Sequence, residues 1–89
     1  MNKNKKEEGY IYIIYNIWFE SEGPHTYKIG RTVNIHDRMK SYTTSFLKPC
    51  EIIFLSEKCK NYVLAEFIVF NRLHIWRMKR NRELFQVDR

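Results

Sequence analysis

The sequence predicts a small α+β domain: a three-stranded antiparallel sheet flanked by helices. Three observations lead there. The runs 10–17 (YIYIIYNI) and 50–56 (CEIIFLS) are rich in β-branched and aromatic residues, as strands are. Asn34 and Asn61 each stand at the head of a stretch with helical patterning, where an N-cap belongs. The chain has 89 residues, 44% of them hydrophobic, which makes one small folded domain with a core that is marginal at this size.

Each element can be justified in order. Residues 1–8 (MNKNKKEE) are charged and read as a disordered tail, leaving 9–89 as one domain. In 10–17 both faces are apolar: Tyr10, Tyr12 and Ile14 on one, Ile11, Ile13, Tyr15 and Ile17 on the other. That suits a strand covered on both sides. Residues 18–25 (WFESEGPH) hold Gly-Pro and acids and form the hairpin loop. Residues 26–30 (TYKIG) give a short second strand, with Gly30 ending it at a tight turn. Asn34 caps a helix running to about residue 42 or 43, with Asp37 near its positive pole. Ile35, Met39 and Tyr42 form its buried stripe, and Arg38 and Tyr42 share one face. Pro49 precedes the third strand. Asn61 caps a longer helix reaching about Met78, and 83–87 (ELFQV) can add a short final strand.

The formal net charge is +6, and it is unevenly placed. Residues 1–57 carry a net of +1 and residues 58–89 a net of +5. A basic last third is either a set of solvated helix-end cations or a surface that tracks a polyanion. Cys50 and Cys59 have no His at zinc-like spacing and read as reduced core thiols. The N-terminal segment lacks the apolar core of a signal peptide, and no run is long and apolar enough to span a membrane. A soluble protein of the cytoplasm or nucleus is expected. The Lys-, Asn- and Ile-rich composition is that of an AT-rich genome, such as a virus or mobile element.

Four residue types stand out for chemistry. Glu66 has Tyr62, Val63, Val69 and Phe70 as its helical neighbours, so its carboxylate is expected to face the body of the protein. A buried carboxylate needs a cation. Mg²⁺ would serve, held by this carboxylate, waters and phosphate oxygens; the plainer alternative is a salt bridge to an arginine. Arg38 can neutralise phosphate charge with its planar fork, or it is a surface arginine. Tyr12 can act as a general base if a nearby cation lowers its pKa, or it is a packed core tyrosine. Lys28 lies within reach of Tyr12 if the first two strands pair, and its ammonium would favour the phenolate. Otherwise it is an exposed strand lysine.

Taken together and in order, these residues resemble the GIY-YIG nuclease superfamily. Tyr10-Ile11-Tyr12 stands for its first tripeptide and Lys28-Ile29-Gly30 for its second. Arg38 and Tyr42, in RMKSY, fall where the family has an arginine and a His or Tyr one turn on. Glu66 falls where a later helix supplies the metal ligand. The strings YKIGRT, AEFIVFNRL and ELFQV look most like a compact phage and large-virus branch, and the resemblance covers 9–87. Two positions depart from the pattern. Tyr10 replaces the first glycine, with Gly9 one residue earlier, and Lys28 replaces the first tyrosine of the second tripeptide, with Tyr27 beside it.

The resemblance implies a Mg²⁺- (or Mn²⁺-) dependent DNA endonuclease with one metal ion and products ending in 5′-phosphate and 3′-hydroxyl. Glu66 would bind the metal, Tyr12 would be the base, Lys28 and Arg38 would stabilise charge, and Tyr42 would orient the phosphate or Tyr12. Arg31, Lys40, Arg77, Lys79, Arg80 and Arg82 are the cations expected to contact DNA. A double-strand cut would need a homodimer or successive nicks, and sequence specificity would need a partner. The alternative is a catalytically inactive nucleic-acid-binding module on the same fold.

Overall fold

The computed structural model describes residues 8–78 and 83–87. Four strands form one antiparallel sheet: β1 (Tyr10–Tyr15), β2 (Thr26–Thr32), β3 (Glu51–Leu55) and β4 (Leu84–Gln86), in the order β3-β1-β2-β4. The sheet is therefore four-stranded, not three-stranded. ELFQV is short, but it brings Leu84 and Phe85, both buried, and Phe85 is fully so at 0% exposure. Pairing with β2 at Thr26↔Gln86, Tyr27↔Phe85 and Lys28↔Leu84 satisfies its backbone.

Two helices cover the two faces. α1 (Ile35–Phe46) and α2 (Tyr62–Arg72) both begin at asparagine caps. The Asn34 side chain accepts from the Asp37 N–H, and the Asn61 side chain accepts from the Leu64 N–H. β1, in the middle, feeds both sides. Ile11 packs with Ile29, Tyr62 and Phe85, against which Ala65, Val69, Phe70 and Leu73 of the α2 side are laid. Tyr12 and Ile14 pack with Phe19 and Leu84, against which Ile35, Met39, Tyr42 and Phe46 of α1 are laid. Alternation along one strand thus builds two cores.

Several boundaries differ from the sequence reading. α1 runs past Tyr42 to Phe46 because Phe46 continues the buried stripe, meeting Phe19 edge-on at 5.6 Å and stacking on Tyr42 at 5.8 Å. Leu47, in left-handed geometry at φ 60°, closes it by donating its N–H to the Thr43 carbonyl. α2 stops at Arg72 rather than Met78. A 3-10 turn over His74–Trp76 follows, and the chain then extends so that Met78 N donates to Leu84 O at 2.9 Å and Arg77 bridges to Phe85. β4 claims the end of the expected helix. The segment after β1 is a 3-10 helix, Ile17–Glu22, capped by the buried Asn16, whose amide also donates to the Lys48 carbonyl.

Gly30 does not end its strand. β2 continues to Thr32, and Gly30 lies opposite Tyr12 in the ladder. A Cβ at Gly30 would fall 2.5 Å from the Tyr12 hydroxyl oxygen, so glycine is required by the close approach of that ring and not by a turn. Gly9 is similar: a Cβ there would meet the Thr32 carbonyl at 2.6 Å and the Tyr62 ring at 2.5 Å.

β3 is an edge strand. Ile52, Ile53, Phe54 and Leu55 are each 40% to 49% exposed, and a bulge places Ile53 as the extra residue between the Ile14 and Ile13 pairings. Cys50 and Cys59 are free thiols. No helix among the described residues is long and apolar enough to cross a membrane.

Candidate active site

The site forms along β2 past its pairing with β4. Among the described residues β4 pairs with β2 from Thr26 to Lys28, and the Ile29 N–H donates to the Glu83 carbonyl just beyond. A cavity of about 270 Å³ lies there. Tyr12, Arg38 and Tyr42 reach it from the α1 side of the sheet, and Arg31 and Glu66 reach it from the α2 side. Lys28 and Glu83 form its remaining wall, with Gly30 as the gap through which the Tyr12 hydroxyl is admitted.

Tyr12 is 2% exposed, and its hydroxyl shares a 2.7 Å hydrogen bond with the hydroxyl of Tyr42. Their rings meet edge-on at 6.3 Å. Burial, then the bond to Tyr42, push the Tyr12 phenol well above the ordinary tyrosine range; the Arg38 guanidinium pulls the other way and is outweighed. The sequence reading looked for a lowered pKa with Lys28 as the neighbouring cation. Instead Lys28 stands opposite Ile14 in the ladder, is ion-paired with Glu83, and lies 5.9 Å from the centre of the Tyr42 ring. The resting Tyr12 is a neutral phenol.

Glu66 is turned inward, its side chain 16% exposed. Its Oε1 accepts from Arg31 Nη1 at 2.6 Å, the salt bridge that was the plainer sequence alternative. Arg31 also lies over the Tyr62 ring at 5.5 Å. Arg31 was read from sequence only as a DNA contact; its position on β2 opposite Ile11 places it on the α2 face, next to Glu66.

Glu83 is the site residue the sequence reading missed. It immediately precedes β4 and is ion-paired with Lys28, which holds its carboxyl below the usual range. The signal is the leading acid of ELFQV, a string the sequence analysis reads as a short final strand.

Among the other cations, Lys40 is exposed on α1. Arg77 packs its guanidinium over Phe70 at 4.3 Å. Lys79, Arg80 and Arg82 lie outside the described residues.

The donor set is compatible with a hard cation. Glu66 offers an oxygen donor on the wall of a polar cavity open to solvent. Among the described residues no group of three His, Cys, Asp or Glu side chains could enclose an ion. An ion here would keep most of its ligands as water and phosphate oxygens, as Mg²⁺ commonly does.

Residues 9–89 match the family model described as the T5orf172 domain. No curated protein and no solved structure matches the chain.

Proposed function

The chain belongs to the T5orf172 domain family, a domain associated with nuclease-type proteins of phage, and from that footing we propose that it is a metal-dependent DNA endonuclease of GIY-YIG type. The observation that carries the reading is the single small cavity lined by Tyr12, Lys28, Arg38, Tyr42 and Glu66. These residues come from two strands and two helices, so no one element's packing accounts for their convergence.

Phosphodiester hydrolysis needs charge neutralisation, a positioned phosphate and a route for a proton. Arg38 and Lys28 receive the charge that grows on the phosphate oxygens. Tyr12 takes the proton of the attacking water after passing its own to solvent by way of Tyr42; the Arg38 guanidinium favours the phenolate against the burial and the Tyr42 bond that oppose it. The water oxygen bonds to phosphorus, the bond from phosphorus to the 3′ oxygen breaks, and the 3′ oxygen takes a proton from solvent water at the open side of the cavity. The products are a 5′-phosphate and a 3′-hydroxyl. Mg²⁺ or Mn²⁺ held by Glu66 would supply Lewis-acid stabilisation of the negative charge that develops at the phosphate. One such site cuts one strand, so a double-strand break takes a homodimer or two successive nicks.

A second reading is a catalytically inactive DNA-binding module. The Arg31–Glu66 pair favours it, because it satisfies the inward carboxylate without a metal. Supercoiled plasmid separates the two. Incubation with Mg²⁺ is expected to give open circles, and EDTA to prevent them. Folded protein that binds DNA and cuts neither the plasmid nor a branched duplex would establish the binding module instead.

A further inference from the structure

A second, larger cavity of about 750 Å³ adjoins the first and shares Arg31 and Glu66 with it. It runs along the flank of α2. Its wall is aromatic: Phe67, 62% exposed, and Phe70, whose ring lies 5.2 Å from that of Phe85. Cations stand at both ends. Arg31 is at the end nearest the first cavity, and Arg77 is at the other, its guanidinium fixed over Phe70. His74 lies beside Arg77, its Nδ1 2.8 Å from the Asn71 carbonyl. Among the described residues of the wall Glu66 is the only acid, and Arg31 pairs with it.

We propose that this groove is a subsite for unpaired nucleotides of a DNA strand, continuous with the cavity that holds the scissile phosphate. The inference rests on reading that first cavity as a phosphodiester site. Recognition of single strands combines an aromatic face, on which a base stacks, with cations that follow the backbone. The groove has both, in the order a strand leaving the first cavity would meet them: Arg31, Phe67, then His74 and Arg77. A base paired within a duplex has its faces covered by its neighbours and cannot stack on Phe67. The substrate class is therefore DNA with an unpaired segment beside the cut, such as a flap, gap or fork. Among the described residues Phe67 belongs to neither core cluster, so an exposed phenylalanine stands between two arginines.

The test reads binding and not cleavage, so it is independent of whether the protein is a nuclease. Fluorescence anisotropy in EDTA would compare a labelled oligothymidine with a labelled duplex. Phe67→Ala should weaken single-strand binding by about tenfold while changing duplex binding little, and Phe67→Tyr should keep the affinity. Phe67 is largely exposed, so melting temperatures of the variants should match wild type. Unchanged single-strand binding by Phe67→Ala overturns the proposal, as does an equal loss for both DNAs or a wild type that binds duplex alone. Failure to cut a flapped duplex in Mg²⁺ with this binding pattern intact would sink the nuclease reading and leave the subsite standing.

Discussion

At the scale of single residues, the closest dependence is between Tyr12 and Gly30. The Tyr12 ring crosses the strand at the one position where no side chain blocks it, and burial prevents it from swinging away. Gly30→Ala should displace the hydroxyl, costing about 1–3 kcal/mol of stability and most of the activity. Chemical denaturation and plasmid nicking would register both losses; a variant with wild-type stability and turnover would refute the contact. Tyr12 also has a pH signature. Its pKa is raised in the folded protein, so the stability it contributes is complete below the unfolded tyrosine value of about 10 and diminishes as pH climbs beyond it. Wild type should lose melting temperature in alkali more steeply than Tyr12→Phe. Parallel curves would show that Tyr12 does not carry the effect. The apolar setting of Glu66 was legible in its helical neighbours, whereas its partner was not: Arg31 is brought to it by strand register, which no local pattern encodes.

At the scale of elements, the asparagine caps and the two-faced apolar pattern of β1 were readable because each is a local property. The end of α2 and the status of β4 were not, because they are decided together. Residues 73–78 have no strong helix breaker, yet the extended chain there gains hydrogen bonding to Leu84 that a helix would forgo. Gly30 was misread for a related reason: glycine signals a turn or a close approach, and sequence alone does not distinguish them. β4 joins both cores with only three residues, Leu84 on the α1 side and Phe85 on the α2 side. Phe85→Ala should therefore cost about 3–5 kcal/mol, seen as a fall in the denaturation midpoint. A loss below about 1 kcal/mol would mean that β4 is not integral to the fold. Because Glu83 precedes β4 and meets Lys28, the same variant should loosen the site wall.

At the scale of the whole molecule, two cavities and an uneven charge point the same way. The net charge is +6, and arginines stand at both cavities. Binding driven by phosphate contacts releases counterions, so DNA affinity should fall about tenfold or more over a fourfold rise in salt. A titration series in increasing KCl would measure the slope, and a flat response would remove electrostatics as the source of affinity. The five residues singled out from sequence for chemistry line one cavity, although they are scattered from position 12 to position 66. Their order was legible through a family resemblance; what brings them together is the register that sets Tyr12 opposite Gly30 and the packing of α1 and α2 on the two faces of the β1–β2 pair.

The central claim is that Glu66 makes this cavity a metal-dependent phosphodiester site. Plasmid nicking by wild type and Glu66→Gln, side by side in Mg²⁺ with DNA binding measured on the same samples, tests it most directly. Nicking by wild type alone, with binding by the two proteins alike, is the predicted result. Equal nicking by both would contradict the claim.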